Sequence, residues 1–308
     1  MTRAATIVAA VIAFAGSGSV AQWEREAELP TPRSEVAAAV FGHEVAIAGG
    51  FAADGTPSAE VDAYSPVADT WRRLPDLPAA VHHAMAAGSR GRLYVLGGYG
   101  STGKPRRAAF VLAGGRWRAL PPMLFPRAAA GAAVVSGHIV VAGGVVRVSG
   151  QRLARNALVF SLRARRWSAS AGPTPREHLG VTSLAGAVYA VAGRRFGLDR
   201  NLSTLESWKP GARGWRSLPA VPSPRGGTGA AAAAGRIVSV GGEEPGGTVE
   251  DVYAFDVGAR RWQRLPDLPT PRHGVGVAAL GGRVFVIGGG TEPGLSVSSF
   301  NESLALSR

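Results

Sequence analysis

The stretch "LYVLGGYGST", Leu93 to Thr102, joins an apolar run to a Gly-Gly pair and a loop. Its relatives are "VAIAGGFAAD" (residues 45–54), "IVVAGGVVRV" (139–148), "VYAVAGRRFG" (188–197), "IVSVGGEEPG" (237–246) and "VFVIGGGTEP" (284–293). Five of the six carry the glycine pair. The fourth has Ala192-Gly193 instead, followed by Arg194 and Arg195. The pairs end at Gly50, Gly98, Gly144, Gly193, Gly242 and Gly289, so one unit recurs every 46 to 49 residues. A period of that size marks a stacked or radial repeat architecture.

Three further landmarks keep the same register. Tryptophans stand at Trp23, Trp71, Trp117, Trp167, Trp215 and Trp262. Seven residues before each of the last five is an aromatic: Tyr64, Phe110, Phe160, Trp208 or Phe255. A Pro-Arg pair opens five units, at Arg33, Arg127, Arg176, Arg225 and Arg272, where the second unit has Val81. Each unit divides into four short runs punctuated by Gly and Pro, for example 274–280, 283–289, 251–255 and 261–265. Such runs read as strands. Four-stranded units of this length, set radially, predict an all-β, six-bladed β-propeller. In the last unit Phe300 matches the third-strand aromatic, but Ser307 stands where Trp should be. The N-terminal run 22–29 carries the missing Trp23. It is expected to supply the outer strand of the last blade and close the ring.

The doublet after an apolar strand, then the aromatic, then Trp, resembles the kelch motif over essentially all of residues 22–308. Glycine permits positive φ where the strand leaves the crowded centre, and the aromatics fill the space between blades. The resemblance implies four-stranded kelch blades. In size and blade count the chain is also similar to the periplasmic N-acetylneuraminate epimerases, which are sugar mutarotases. That likeness is architectural and carries no active residue onto these positions. The copper chemistry of galactose oxidase, another kelch-type propeller, needs a cysteine that this chain lacks.

Composition narrows the function. Absence of cysteine excludes disulfides and thiolate metal sites. The formal charge is +13, and all but two of the 34 basic residues are arginine. Many flank the repeat tryptophans, as at Arg72, Arg73, Arg116, Arg118, Arg165, Arg166, Arg216, Arg260, Arg261 and Arg264. Charge there blunts exposed edge strands against pairing. The sharper reading is an outer arginine belt that attracts an acidic envelope surface. Residues 1–21 have an early Arg3, an apolar run and small residues ending at Ala21, the pattern of a signal peptide cleaved after Ala21. The alternative is an uncleaved anchor, although the run is shorter than the ~20 residues of an ordinary spanning helix. The expectation is an exported protein, periplasmic or secreted, monomeric, with no nucleic-acid partner.

Two sets of positions should reach the loop face around the axis. One follows the small-residue pairs: Phe51, Tyr99, Val145, Arg194, Glu243 and Gly290. The other follows the Pro-Arg positions: Ser34-Glu35, His82-His83, Ala128-Ala129, Glu177-His178, Gly226-Gly227 and His273-Gly274. Loops are polar in any protein, but here the ionisable members cluster. Candidate binding residues are Glu177, His178, Arg194, Arg195, Glu243, Glu244, His273, His82, Tyr99 and Phe51. His82 or His83, His178 and His273 fall on alternate units, where they are expected to face one another across an open channel, too far apart for a metal. His43 and His138 fall in first-to-second-strand turns at the opposite face. No metal and no cofactor is expected. The reading favours a binding module for a carbohydrate or protein partner. The alternative is a mutarotase or epimerase using Glu177, His178 and Arg194 as acid, base and cation.

Overall fold

The computed structural model describes residues 21–307. Residues 1–20, most of the expected signal peptide, lie outside them. Six four-stranded antiparallel sheets surround one axis. The first blade is Ala37–Phe41, Glu44–Ala48, Val61–Ser65 and Thr70–Arg73. The second to fifth follow the same order and start at Met85, Gly131, Gly180 and Gly229. The sixth is Gly276–Leu280, Arg283–Ile287 and Asn301–Ala305, completed by Trp23–Arg25 at the chain's other end. Trp23 pairs with Leu304 and Arg25 with Glu302. Each innermost strand packs on its two neighbours, the sixth on the first. The N-terminal strand is shorter than the sequence suggests, although its continuation stays bonded through Glu26 N–H to Asn301 O and Leu29 N–H to Ser299 O.

The tryptophans act between blades. The indole N–H of Trp71 donates to Ala27 O, and that of Trp117 to Pro75 O. Trp167, Trp215, Trp262 and Trp23 donate likewise to Pro121, Ala171, Pro219 and Pro266. Every acceptor lies four residues after the preceding unit's Trp, so each blade is clipped to the one before it. A hydrogen bond of this kind contributes ~1 kcal/mol. The aromatic partner is also regular in three blades: Tyr64 faces Trp71, Phe160 faces Trp167 and Phe255 faces Trp262 across the outer hairpin. Two blades depart from this pairing. Leu112, not Phe110, opposes Trp117, because the tight Gly114-Gly115 turn moves the register by two. Phe300 precedes its strand and lies beneath the guanidinium of Arg25, 4.7 Å from its ring centre.

The glycine pair proves to be the inner joint. The second residue donates its N–H to the carbonyl that ends the next unit's Pro-Arg pair, as Gly98 to Arg127 O (2.8 Å) and Gly289 to Arg33 O (2.8 Å). A Cβ on the first glycine would press on that same carbonyl, at 2.3 Å from Gly97 and 2.7 Å from Gly288. Both positions also have positive φ. Ala192, which takes the first glycine's place in the fourth blade, also has a positive φ, 51°. Ala192 therefore carries strain that its five counterparts avoid.

The Pro-Arg arginines are fully buried, all five at 0% exposure. Arg33 meets Asp62, Arg176 meets Glu206 at 2.5 Å, and Arg272 meets Glu302 at 3.0 Å. Arg127 donates to the Asn156 side chain, and Arg225 to Asp251 O. Each pins the blade's entry to its third strand. Burial pulls Arg127, Arg225 and Arg272 down to about 10, which leaves them cationic at neutral pH. In the second blade Val81 fills the place within an apolar cluster.

Candidate functional site

The loops between second and third strands and the connections between blades leave from the same end of the ring. At that end the two predicted sets of positions pair: Ser34 with Phe51, His82 with Tyr99, Ala128 with Val145, Glu177 with Arg194, Gly226 with Glu243 and His273 with Gly290. One residue on, Glu35, His83, Ala129, His178, Gly227 and Gly274 form a collar around the axis. Each N–H from His83 to Gly274 donates to the preceding member's carbonyl, at 2.8–3.0 Å, and Val36 N–H closes the circle onto Gly274 O. All six have positive φ, between 50° and 68°. Four are not glycine, which concentrates backbone strain at this mouth. Below the collar the channel is lined by small side chains, among them Ala38, Ala86, Ala132, Val181 and Ala230.

The collar side chains meet on the axis. His83 Nε2 is 2.8 Å from His178 Nε2 and 3.2 Å from Glu35 Oε2, and His178 Nε2 is 3.8 Å from that oxygen. The expected wide channel between these histidines is absent. Four strands per blade with alanine or glycine on the inner strand draw the ring tight enough for contact. Glu35 and His83, absent from the candidate binding residues, are at the centre. Their signal was legible, since they share the repeat register of His178.

The neighbouring positions form two banks. On one, Arg194 spans Glu177 (3.1 Å) and Glu243 (2.6 Å). Gly226 admits it, since a Cβ there would lie 2.7 Å from Arg194 Cδ. His273 sits between Glu35 and Glu243, its Nδ1 at 3.4 and 3.5 Å from them, and its Nε2 meets Glu292 O at 3.0 Å. On the other bank Phe51 stacks on His82 at 3.8 Å, and Tyr99 lies 5.2 Å beyond. Arg195 and Glu244 point away and are exposed.

Burial sets the electrostatics. Burial alone would raise the Glu35 carboxyl, but His83, His178 and His273 hold it well below the usual carboxylate range. Burial keeps His83 and His178 neutral, their pKa values lowered despite Glu35. It pulls His82 down to about 3, with His83 adding to the effect. Burial also acts against a charge on His273, yet Glu35 and Glu243 raise it above its ordinary value. Tyr99 is pushed up to about 12 by burial and by Glu35. The site thus gathers three imidazoles around the Glu35 carboxylate, and His273, between Glu35 and Glu243, is the one whose charged form is favoured. Among the described residues, two groups could hold a metal ion: Glu35, His83 and His178, or Glu35, Glu243 and His273.

Comparison with known proteins joins this geometry to a lineage. A model of the KLHDC2/KLHL20/DRC7 Kelch-repeats domain matches residues 121–289, and a Kelch-motif model matches residues 32–78. The chain belongs to the kelch-repeat family. Among kelch relatives, Kelch-like protein terF of Aspergillus terreus is 30% identical over 232 residues, 69% of this chain and 50% of its own length. Beta-scruin of Limulus polyphemus is 26% identical over 56% of this chain and 20% of its own. Mouse Kelch-like protein 40 is 32% identical over 42% of this chain and 21% of its own. The chain spans half the length of the fungal relative and about a fifth of the other two. Sequence reasoning found the kelch landmarks but missed the buried arginines. Their acidic or amide partner stands in the third strand of the same five units, and both features fail together in unit two.

Proposed function

We propose that this kelch propeller is a binding module that grips an acidic, partly apolar protein segment with its loop face over blades two to four. Exposed apolar side chains supply the contact area. Leu124 and Phe125, on the connection from blade two to blade three, are 41% and 45% exposed, and Val148, on the blade-three loop, is 49% exposed; Leu295 stands apart on the blade-six loop at 61%. Exposed Lys104, Arg147, Arg152 and Arg195 flank them on blades two to four. Of the exposed acids on these loops, Glu244, Glu292 and Asp54 stand on blades five, six and one, and Asp199 alone on blade four beside exposed Arg195 and Arg200. The face is therefore polarised, which orients a partner and steers its approach. The observation that carries this reading is the coincidence of exposed apolar and exposed basic side chains on one blade.

The outer belt is a weaker candidate. Arg72 is engaged by Glu44, Arg73 by Asp76 and Glu60, and Arg264 by Asp267 and Asp251. A mutarotase reading finds little support, since Arg194, Glu177 and Glu243 satisfy one another rather than facing a substrate. A sugar ring stacked on the Phe51–His82–Tyr99 bank is the second reading, favoured by that aromatic step. Export through residues 1–21 and a monomeric state complete the proposal, and rest on sequence alone.

The test is a peptide-display selection against the folded protein, with a small-sugar thermal-shift screen beside it. The proposal expects enriched peptides with Asp or Glu next to aromatic or aliphatic residues. Enrichment of basic peptides, or none at all, would overturn it. A sugar-induced shift abolished by Phe51→Ala would favour the second reading.

A further inference from the structure

The axial cluster has a geometry that the binding proposal does not use. Three electron-pair donors converge there from blades one, two and four: Glu35 Oε2, His83 Nε2 and His178 Nε2. Their separations of 2.8, 3.2 and 3.8 Å bracket the spacing of ligands around one small ion. Ligands at about 2.0–2.1 Å from zinc, set at tetrahedral or octahedral angles, lie about 2.9–3.4 Å apart.

The outward nitrogen of each imidazole faces a polar neighbour. His178 Nδ1 abuts the buried carboxylate of Glu177. His83 Nδ1 is 2.5 Å from His82 Nδ1. With Nδ1–H donated outward in each case, both Nε2 lone pairs point at the axis. A carboxylate behind a histidine is the usual outer partner of a metal-bound imidazole, because it fixes the tautomer and raises ligand basicity. Two ring nitrogens facing at 2.8 Å beside a carboxylate need a proton or a metal cation between them.

We propose that Glu35, His83 and His178 bind one divalent transition-metal ion, zinc by preference, on the axis at the loop-face mouth. Two nitrogens and one oxygen suit zinc, cobalt or nickel better than calcium or magnesium. The other acidic group is a poorer site, since Arg194 already donates to Glu243 at 2.6 Å. His273 Nδ1 is buried without a hydrogen-bond partner and faces the second oxygen of Glu35, so it backs that ligand from the far side. The ion ties together three blades, of which the second and fourth are not neighbours in the ring. It leaves a coordination position for water or a partner's carboxylate.

The experiment uses untagged protein, dialysed free of metal and titrated with Zn2+ and with Co2+. The expected result is one ion per chain, visible cobalt d–d bands of nitrogen–oxygen coordination, and a rise in melting temperature. Loading and bands should vanish in His83→Ala/His178→Ala and fall in Glu35→Gln, and persist in His43→Ala/His138→Ala, which changes only turn histidines. Circular dichroism establishes that each variant is folded. Should the site variants not fold, the wild type and the turn variant decide the matter. Folded wild type that retains no ion and shows no shift overturns the proposal. So does loading that survives His83→Ala/His178→Ala or disappears in His43→Ala/His138→Ala.

Discussion

Ala192 has a φ of 51° at a place where the other five blades have glycine. At the equivalent glycines a Cβ would press on the carbonyl that accepts the next N–H, the part Arg225 O plays for Gly193. Ala192→Gly should therefore stabilise the protein by about 1 kcal/mol, read as a small upward shift of the urea midpoint. Destabilisation would show that the joint tolerates a side chain. Arg176 tests the opposite case. Removing it strands Glu206, which is buried at 6% exposure beside Thr174. An uncompensated buried charge costs about 3–5 kcal/mol, so Arg176→Ala should unfold at markedly lower denaturant. Arg176→Met/Glu206→Leu should recover most of that loss, as the Val81 blade already does without either group. Equal loss in the single and double variants would mean that the arginine acts through its backbone acceptors, Ala190 O and Ala192 O. These effects lie beyond simple sequence reading. A Pro-Arg dipeptide looks solvent-exposed, and only the ring's geometry buries it.

At the scale of strands, the joint between the chain's ends is the feature most exposed to test. Deleting residues 22–29 removes the outer strand of blade six, the Trp23 clip, and Leu29, which is buried at 2% exposure. Loss of cooperative unfolding is expected, monitored by circular dichroism on heating. A melting curve like the wild type's would contradict the closure. Asp69 adds a pH signature to the same seam. Its carboxylate accepts Ala27 N–H and Tyr64 O–H, each at 2.7 Å, and these bonds, led by Ala27, lower its pKa. A carboxyl group lowered in the folded state stabilises above its unfolded pKa of ~4 and loses that contribution as pH falls through the folded value. Asp69→Asn should narrow the difference in unfolding midpoint between pH 5 and pH 3. An unchanged difference would remove Asp69 from the acid response. The strands were legible because period, punctuation and Trp register agree. Register inside a hairpin was not. The seven-residue spacing from Phe110 to Trp117 equals that of its counterparts, yet the tight Gly114-Gly115 turn slides Leu112 into place.

Over the whole molecule, the ring converts a linear repeat into two unlike rims. Glycine and alanine on blades three and five leave room for Glu35, His83, His178, Arg194 and His273 from the others, so the chemistry gathers at one mouth. The sequence reading located the paired positions of this face. It could not foresee that imidazoles on alternate blades would touch, because the bore depends on how closely alanine-lined strands pack. Outside the mouth, basic and apolar side chains share blade three, while the exposed loop acids other than Asp199 stand on blades five, six and one. The deciding measurement takes a display-selected acidic peptide and two charge-reversed proteins. One carries Arg147→Glu, Arg152→Glu and Arg195→Glu on the loop face; the other carries Arg166→Glu, Arg216→Glu and Arg261→Glu on the outer strands. The first should weaken binding by about tenfold or more, a loss of ~1.4 kcal/mol, and flatten its salt dependence, while the second leaves affinity within about twofold. Retained affinity in the first and loss in the second would place the working surface on the outer belt and contradict the account.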